Sequence, residues 1–184
     1  MIDARRLAIP DILHIRPRKF LDARGYFSET YNERAFAEIG VAVRFVQDNQ
    51  SLSKNAGTIR GTHFQSPPFA QDKLVRVVKG RVLDVCVDIR RTSPTFGQHV
   101  AMELSSEEGD QLFVPIGFAH GFCTLEPDTE VLYKVSNFYS PQHDLGILWN
   151  DPELNVAWPV VAAQAVVSDK DRALPLLKDL VTPF

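Results

Sequence analysis

Cysteine is scarce in this chain: Cys86 and Cys123 are the two among 184 residues, and no CxxC spacing occurs. That excludes a disulfide scaffold and a zinc-finger fold. Long apolar runs are missing as well. No stretch approaches the ~18 apolar residues of a membrane span. The start, Met1-Ile2-Asp3-Ala4-Arg5-Arg6, is charged and leads into no apolar segment, so neither export nor membrane insertion is expected, and a cytoplasmic location is. Positive charge is not in excess. A formal net charge of −3 gives no footprint for general nucleic-acid binding. There is no internal repeat, low-complexity run or Ser/Gly linker. With 45% hydrophobic and 23% charged residues the composition is that of an ordinary globular protein. A single domain over 1–184 is expected, long enough to bury a full core without staples.

Helical periodicity is also sparse, confined to Asn32–Ile39 and the stretch after Ser168. What fills the chain is short β-rich runs cut by Gly, Pro, Asn and Asp. Strands are predicted at 43–49, 57–65, 98–104, 111–115, 121–124 and 130–138. A further run, 73–90, is broken by a turn at Lys79-Gly80-Arg81. After that turn Leu83, Val85, Val87 and Ile89 share one face, with Asp84, Cys86, Asp88 and Arg90 on the other. Turn signals every 8–12 residues predict an all-β sandwich or barrel. Several strands are apolar on both faces, as at Val75, Val77 and Val78. That implies a sheet covered on one side by a second sheet and on the other by a partner subunit. Residues 1–42 look too irregular for a core element and read as an arm and strands extending a barrel over about 43–150; a C-terminal helical segment is expected over about 165–184.

Two spaced patterns carry the candidate chemistry. One runs Gly57, His63, Gln65, Lys73, Gly80; the other runs Gly109, Pro115-Ile116-Gly117, His120. Their spacing resembles the two motifs of the cupin superfamily, which implies a jelly-roll barrel, or double-stranded β-helix, with a few short peripheral helices. Metal-binding cupins would carry a second His and a Glu where this chain has Gln65 and Lys73. An ammonium in a carboxylate's place repels a divalent cation, so no metal is expected and the pocket reads as an anion-stabilising one.

Nine further motifs follow in order: Asp22-Ala23-Arg24-Gly25-Tyr26-Phe27-Ser28-Glu29, Phe45-Val46-Gln47-Asp48-Asn49, Ile59-Arg60-Gly61-Thr62-His63-Phe64-Gln65, Lys73-Leu74-Val75, Ser93-Pro94-Thr95-Phe96-Gly97, Pro115-Ile116-Gly117-Phe118-Ala119-His120-Gly121-Phe122, Tyr133-Lys134, Trp149-Asn150-Asp151-Pro152 and Ser168-Asp169-Lys170-Asp171. Over about residues 9–177 the chain closely resembles the dTDP-4-dehydrorhamnose 3,5-epimerase family. The resemblance implies cofactor-free inversion of two carbons flanking a ketone on a thymidine-diphosphate sugar, within dTDP-rhamnose synthesis, by a homodimer.

A C–H bond beside a carbonyl is a weak acid, so its removal requires a placed base and stabilisation of the enolate. The resemblance makes His63 the base, Asp171 the group that orients it, Lys73 the oxyanion stabiliser and Tyr133 the acid on the opposite sugar face. It makes Arg24 and Arg60 diphosphate contacts, with Lys170 adding charge. Glu29, Gln47 and Asn49 become polar contacts, Phe20, Phe27 and Tyr139 aromatic ones. His120 lines the pocket, and Asp144 stands where the family often has Glu.

Plainer readings stand beside these. Asp171 closes a capping box with Ser168, and Tyr133 alternates with Val131 and Val135 like a core tyrosine. Strict alternation puts Arg60 and His63 on opposite faces, unless the strand bulges at Gly61. Asp84 reads either as a pocket acid supporting Lys73 or as structural, and His14, His99 and His143 read as surface residues. Other functions remain open: a single-carbon epimerase of another deoxysugar, a silent nucleotide-sugar-binding cupin, or a metal-dependent cupin.

Overall fold

A computed structural model of the chain describes residues 2–184. Two antiparallel sheets face each other. The first contains six strands in the spatial order β1 (Ile2–Arg6), β2 (Leu13–Pro17), β10 (Gln111–Val114), β7 (Lys73–Lys79), β12 (Thr129–Val135) and β5 (Gln47–Ser53). The second holds β13 (Asp144–Gly146), β6 (Ile59–Gln65), β11 (Phe118–Thr124), β8 (Arg81–Asp88) and β9 (His99–Ser105). A separate hairpin pairs β3 (Phe20–Asp22) with β4 (Gly25–Phe27). Helix is limited to α1 (Glu33–Glu38), capped by the Asn32 side chain, α2 (Asp169–Arg172), and one 3-10 turn at Leu177–Asp179. Both helices lie where periodicity places them, but the helical segment expected over about 165–184 reduces to the four residues of α2 and the 3-10 turn.

Three apolar layers hold this arrangement. Between the sheets Val75, Val77, Leu112 and Val131 meet Val82, Cys86, Leu104, Phe118 and Phe122. The predicted two-faced strands are real, but the chain itself covers most of their outer faces, leaving Val78 of β7 38% exposed. Val85, Val87 and Ile89 pack outward against Ile147, Leu154, Leu177 and Leu180 of the C-terminal segment. Leu13, Ile15, Leu74 and Phe113 pack outward against Phe36 of α1 and Val41. A partner subunit is therefore not needed to bury them.

The N-terminal stretch is more than an arm. β2 lies inside the six-stranded sheet, and Ile12 and Ile15 are fully buried. Sparse punctuation hides this, because β1 and β2 each run for five residues, and β2, which carries β1 as the edge strand, gains its order from β10 far along the chain. His14, expected at the surface, is instead buried on β2, bonded through Nε2 to Asp110 at 3.0 Å and receiving Arg5 Nε at 3.1 Å. The strand expected from 43 begins at Gln47, because Val43 and Phe45 pack onto the outer-face cluster around Phe36. The strand expected to reach 138 ends at Val135.

β6 resolves the question of Arg60 and His63. Opposite it, β11 carries His120 and Phe122, two residues apart and on one face. Yet His120 pairs with His63 and Phe122 with Arg60, three residues apart, so one extra residue is accommodated between them. The bulge brings Arg60 and His63 onto the same inward face. Gly61 makes it possible: with φ of +115°, a Cβ there would sit 2.6 Å from the Gly121 Cα and 2.7 Å from the His120 carbonyl oxygen.

Candidate active site

A cavity of about 540 Å³ opens between the sheets near β6 and α2. His63 and Arg60 enter it from β6, His120 and Phe122 from β11, Lys73 from β7 and Tyr133 from β12, while Lys170 and Asp171 close one side from α2. The two walls thus carry different chemistry. The five-stranded sheet supplies the imidazoles and Arg60, the six-stranded sheet the ammonium and the phenol. On the latter, Tyr133 pairs with Val75 and Val135 with Lys73, so Tyr133 and Lys73 share a face one pleat apart.

His63 is held from behind. Its Nε2 lies 2.7 Å from Asp171 Oδ1, and a carboxylate only accepts, so the proton is on Nε2 and Nδ1 is the nitrogen left for chemistry. Asp171 takes part in the helix cap and in the His63 contact at once, although its side chain does not reach back to the Ser168 backbone as a full capping box would. Its backbone N–H donates to the Ser168 Oγ cap at 3.1 Å, while its side chain turns away to His63 and to the Gly61 N–H at 3.3 Å. Burial pushes the Asp171 carboxyl up, but these hydrogen bonds outweigh it and leave the group below its ordinary value.

Lys73 is only 8% exposed. Its Nζ donates to the His63 carbonyl at 3.0 Å, and burial lowers its pKa to about 8 against the opposing pull of Cys86, Asp144 and Asp84. Burial likewise raises the Tyr133 phenol above its usual value, partly countered by Arg60. The phenol is therefore a proton carrier at neutral pH. Arg60 Nε donates to Ser53 Oγ at 3.1 Å and Nη2 to the Leu52 carbonyl at 3.0 Å.

Other predicted residues do not line the cavity: Gln47, Asn49, Tyr139 and Asp144 form a bonded set that reaches it through Lys170, and the rest lie elsewhere. Gln47 donates to Asn49 at 2.8 Å, and the Tyr139 N–H donates to Gln47 at 3.1 Å. Asp144 receives the Tyr139 hydroxyl at 2.9 Å and Lys170 Nζ at 2.5 Å, tying the loop after β12 to α2. Asp84 does not bond Lys73; both its oxygens lie 2.9 Å from His120 Nε2. His143 is half-buried and bonds Ser66 Oγ at 2.9 Å. Arg24, Phe27 and Glu29 do not line the cavity. Arg24 is paired with Asp22 on the exposed β3–β4 hairpin, and Phe20, Phe27 and Glu29 border a separate groove with Arg18.

Some lining residues carry no functional signal in the sequence: Thr58, Val166 and Val167 arrive through an isolated bridge between Thr58 and Val166. Ser51 is different, since Gln47, Asn49, Ser51 and Ser53 alternate along β5, and extending the 47/49 face by one step finds it.

A family model described as dTDP-4-dehydrorhamnose 3,5-epimerase matches residues 6–179. The chain belongs to this epimerase family. It is 51% identical to the dTDP-4-dehydrorhamnose 3,5-epimerase of Sinorhizobium fredii, over 97% of this chain and 91% of that protein. Among solved structures, the Bacillus anthracis enzyme with TDP and PPi bound superposes with a TM-score of 0.93 at 50% identity, covering 96% of this chain and 99% of that one. The Legionella pneumophila enzyme in complex with dTDP-4-keto-L-rhamnose also gives 0.93, at 40% identity over 98% and 95% of the two chains. The fold is accordingly the cupin-type jelly roll of these epimerases.

Proposed function

We propose that the chain is a dTDP-4-dehydrorhamnose 3,5-epimerase, inverting C3 and C5 of dTDP-4-dehydro-6-deoxy-D-glucose to give dTDP-4-dehydro-L-rhamnose in dTDP-L-rhamnose synthesis. The observation that carries it is the two-walled cavity: an imidazole–carboxylate pair on one sheet faces an ammonium and a phenol on the other. A single base that returned its own proton would restore the original centre, so inversion requires groups on both sides of the sugar ring. His63 Nδ1 removes the proton beside the C4 ketone. Lys73 meets the charge that develops on the ketone oxygen, and Tyr133 delivers a proton to the opposite face. Arg60 and Lys170, beside the catalytic set, suit the diphosphate, and Gln47, Asn49, Tyr139 and Asp144 form the rim that meets the sugar or nucleotide. No metal or nicotinamide takes part in these steps.

The test is solvent exchange. In heavy water with the nucleotide sugar and no added cofactor, deuterium enters at both C3 and C5. Label at one carbon only would instead identify a single-carbon epimerase, and no label would leave a nucleotide-sugar-binding protein. Tyr133→Phe is expected to lower inverted product about 10²-fold while deuterium uptake falls far less, because proton removal precedes the step the phenol serves. Equal loss of both would remove Tyr133 from the acid role.

The proposal includes a homodimer in the cytoplasm. Among the described residues no helix is long and apolar enough to cross a membrane, and both thiols are buried and unpaired. The β3–β4 hairpin exposes Phe20, Leu21, Tyr26 and Phe27 at 48–82%, an apolar surface of the kind subunits cover. It also carries Arg24 and Phe27, with Glu29 just after it, and the cavity of the same chain lacks all three. A second copy that seats this hairpin at the mouth of its partner's cavity satisfies both facts. Mixing His63→Ala subunits with Arg24→Ala subunits is then expected to restore activity, since about a quarter of all sites escape both changes. No recovery after subunit exchange would place the hairpin elsewhere.

A further inference from the structure

Asp84 lies behind the cavity wall, fully buried on β8. It is not a lining residue, yet it touches one: both carboxylate oxygens sit 2.9 Å from His120 Nε2, and the Cys86 thiol leans on Oδ1 at 3.9 Å. The register explains the contact. Phe122 pairs with Asp84 and His120 with Cys86, so Asp84 and His120 are diagonal neighbours on one inward face. Because a carboxylate only accepts, Nε2 carries the proton, and Nδ1 finds no hydrogen-bond partner among the described residues. The arrangement repeats that of His63 and Asp171 on the adjoining strand, where His63 is the register partner of His120.

One N–H and one thiol do not neutralise a buried carboxylate. Lys73 on the facing sheet feels this carboxylate without bonding it: Asp84 raises its proton affinity, after Cys86 and Asp144.

We infer that Asp84 is a positioning residue of the reaction: it fixes the His120 ring with Nδ1 toward the sugar and steadies the Lys73 charge, so both groups meet the enolate oxygen already in place. The inference rests on the epimerase reading and adds a residue that itself never touches the substrate. The groups that face Lys73 are Asp84 and Cys86 from β8, His63 from β6, His120 from β11, Tyr133 from β12 and Asp144 from β13.

Asp84→Asn keeps the shape and an acceptor for the Nε2 proton and removes the charge. We expect kcat to fall about tenfold to a hundredfold with KM within about threefold. Exchange at C3 and C5 falls together, since both enolates place charge on the same oxygen. The alkaline limb of the kcat/KM profile moves down, because Lys73 loses an anion that favoured its protonation. A purely structural role would lower the melting temperature and leave that limb in place, and an unmoved limb with kcat within about twofold overturns the inference. Should the variant fail to fold, 15N NMR of histidine-labelled wild-type protein decides without substrate: His120 protonated on Nε2 supports it, a bare Nε2 overturns it. Wild-type protein that exchanges no substrate proton would sink the epimerase reading alone, leaving the Nε2 result to stand.

Discussion

His63→Ala is expected to stop deuterium uptake at both sugar carbons and to lower kcat by about 10²–10⁴, the range a positioned general base supplies. In the proposed mechanism one imidazole serves both sides of the ketone, so both centres lose together. Substrate affinity should change little, since Arg60 and Lys170 remain for the diphosphate. The variant leaves Asp171 4% exposed without its strongest donor, which costs about 1–3 kcal/mol of stability. A melting curve therefore accompanies the assay, so that a folded but silent protein is distinguished from an unfolded one. Residual exchange at either carbon within about tenfold of wild type would assign a separate base to that carbon. Because Asp171 is held below its ordinary value, it remains a carboxylate across neutral pH, and an acid limb in the profile belongs to another group. Its stabilising contribution is present above the unfolded carboxylate value near 3.9 and is lost only as pH falls through the lower folded value.

Much of this site is legible in the chain because jelly-roll strands alternate. The faces assigned along 83–90 hold, although the apolar face packs outward and the mixed face of Asp84 and Cys86 looks into the barrel. Lys73 reads as an oxyanion group from its place in the cupin pattern, and the cavity contains it. What alternation cannot give is anything set by a partner strand. Arg60 and His63 come to one face through a bulge defined against His120 and Phe122. Asp171 meets His63 across 108 residues, a distance no local spacing encodes, and its cap hides the second role. His14 reads as a surface residue because its buried partner Asp110 is 96 residues away. The hairpin bearing Arg24 and Phe27, with Glu29 just after it, reads as substrate-binding only through family resemblance, since none of the three lines the cavity of the same chain.

Lys73→Met is expected to lower kcat by about 10²–10³, as removal of a good oxyanion donor does, and to make the protein more stable. The two effects share one cause. Burial lowers the Lys73 pKa from 10.5 to about 8, so below pH 8 the folded state carries an ammonium it would rather not hold. Holding the charge there costs roughly 3 kcal/mol. Methionine fills similar space without charge, and it forfeits the hydrogen bond to the His63 carbonyl, worth about 1 kcal/mol. The variant should therefore gain about 1–2 kcal/mol at pH 7, seen as a higher denaturant midpoint. The sign can be checked independently. Between pH 8 and 10.5 the unfolded chain holds this proton more than the folded one, so wild-type stability rises with pH there, and the methionine variant lacks that slope. In the same window wild-type kcat/KM falls as the ammonium is lost. A variant less stable than wild type at pH 7, or a wild-type profile flat through pH 9, would show that the Lys73 charge is not under strain in the empty cavity. If both results hold, the fold tolerates a destabilising cation where the substrate's enolate will later neutralise it.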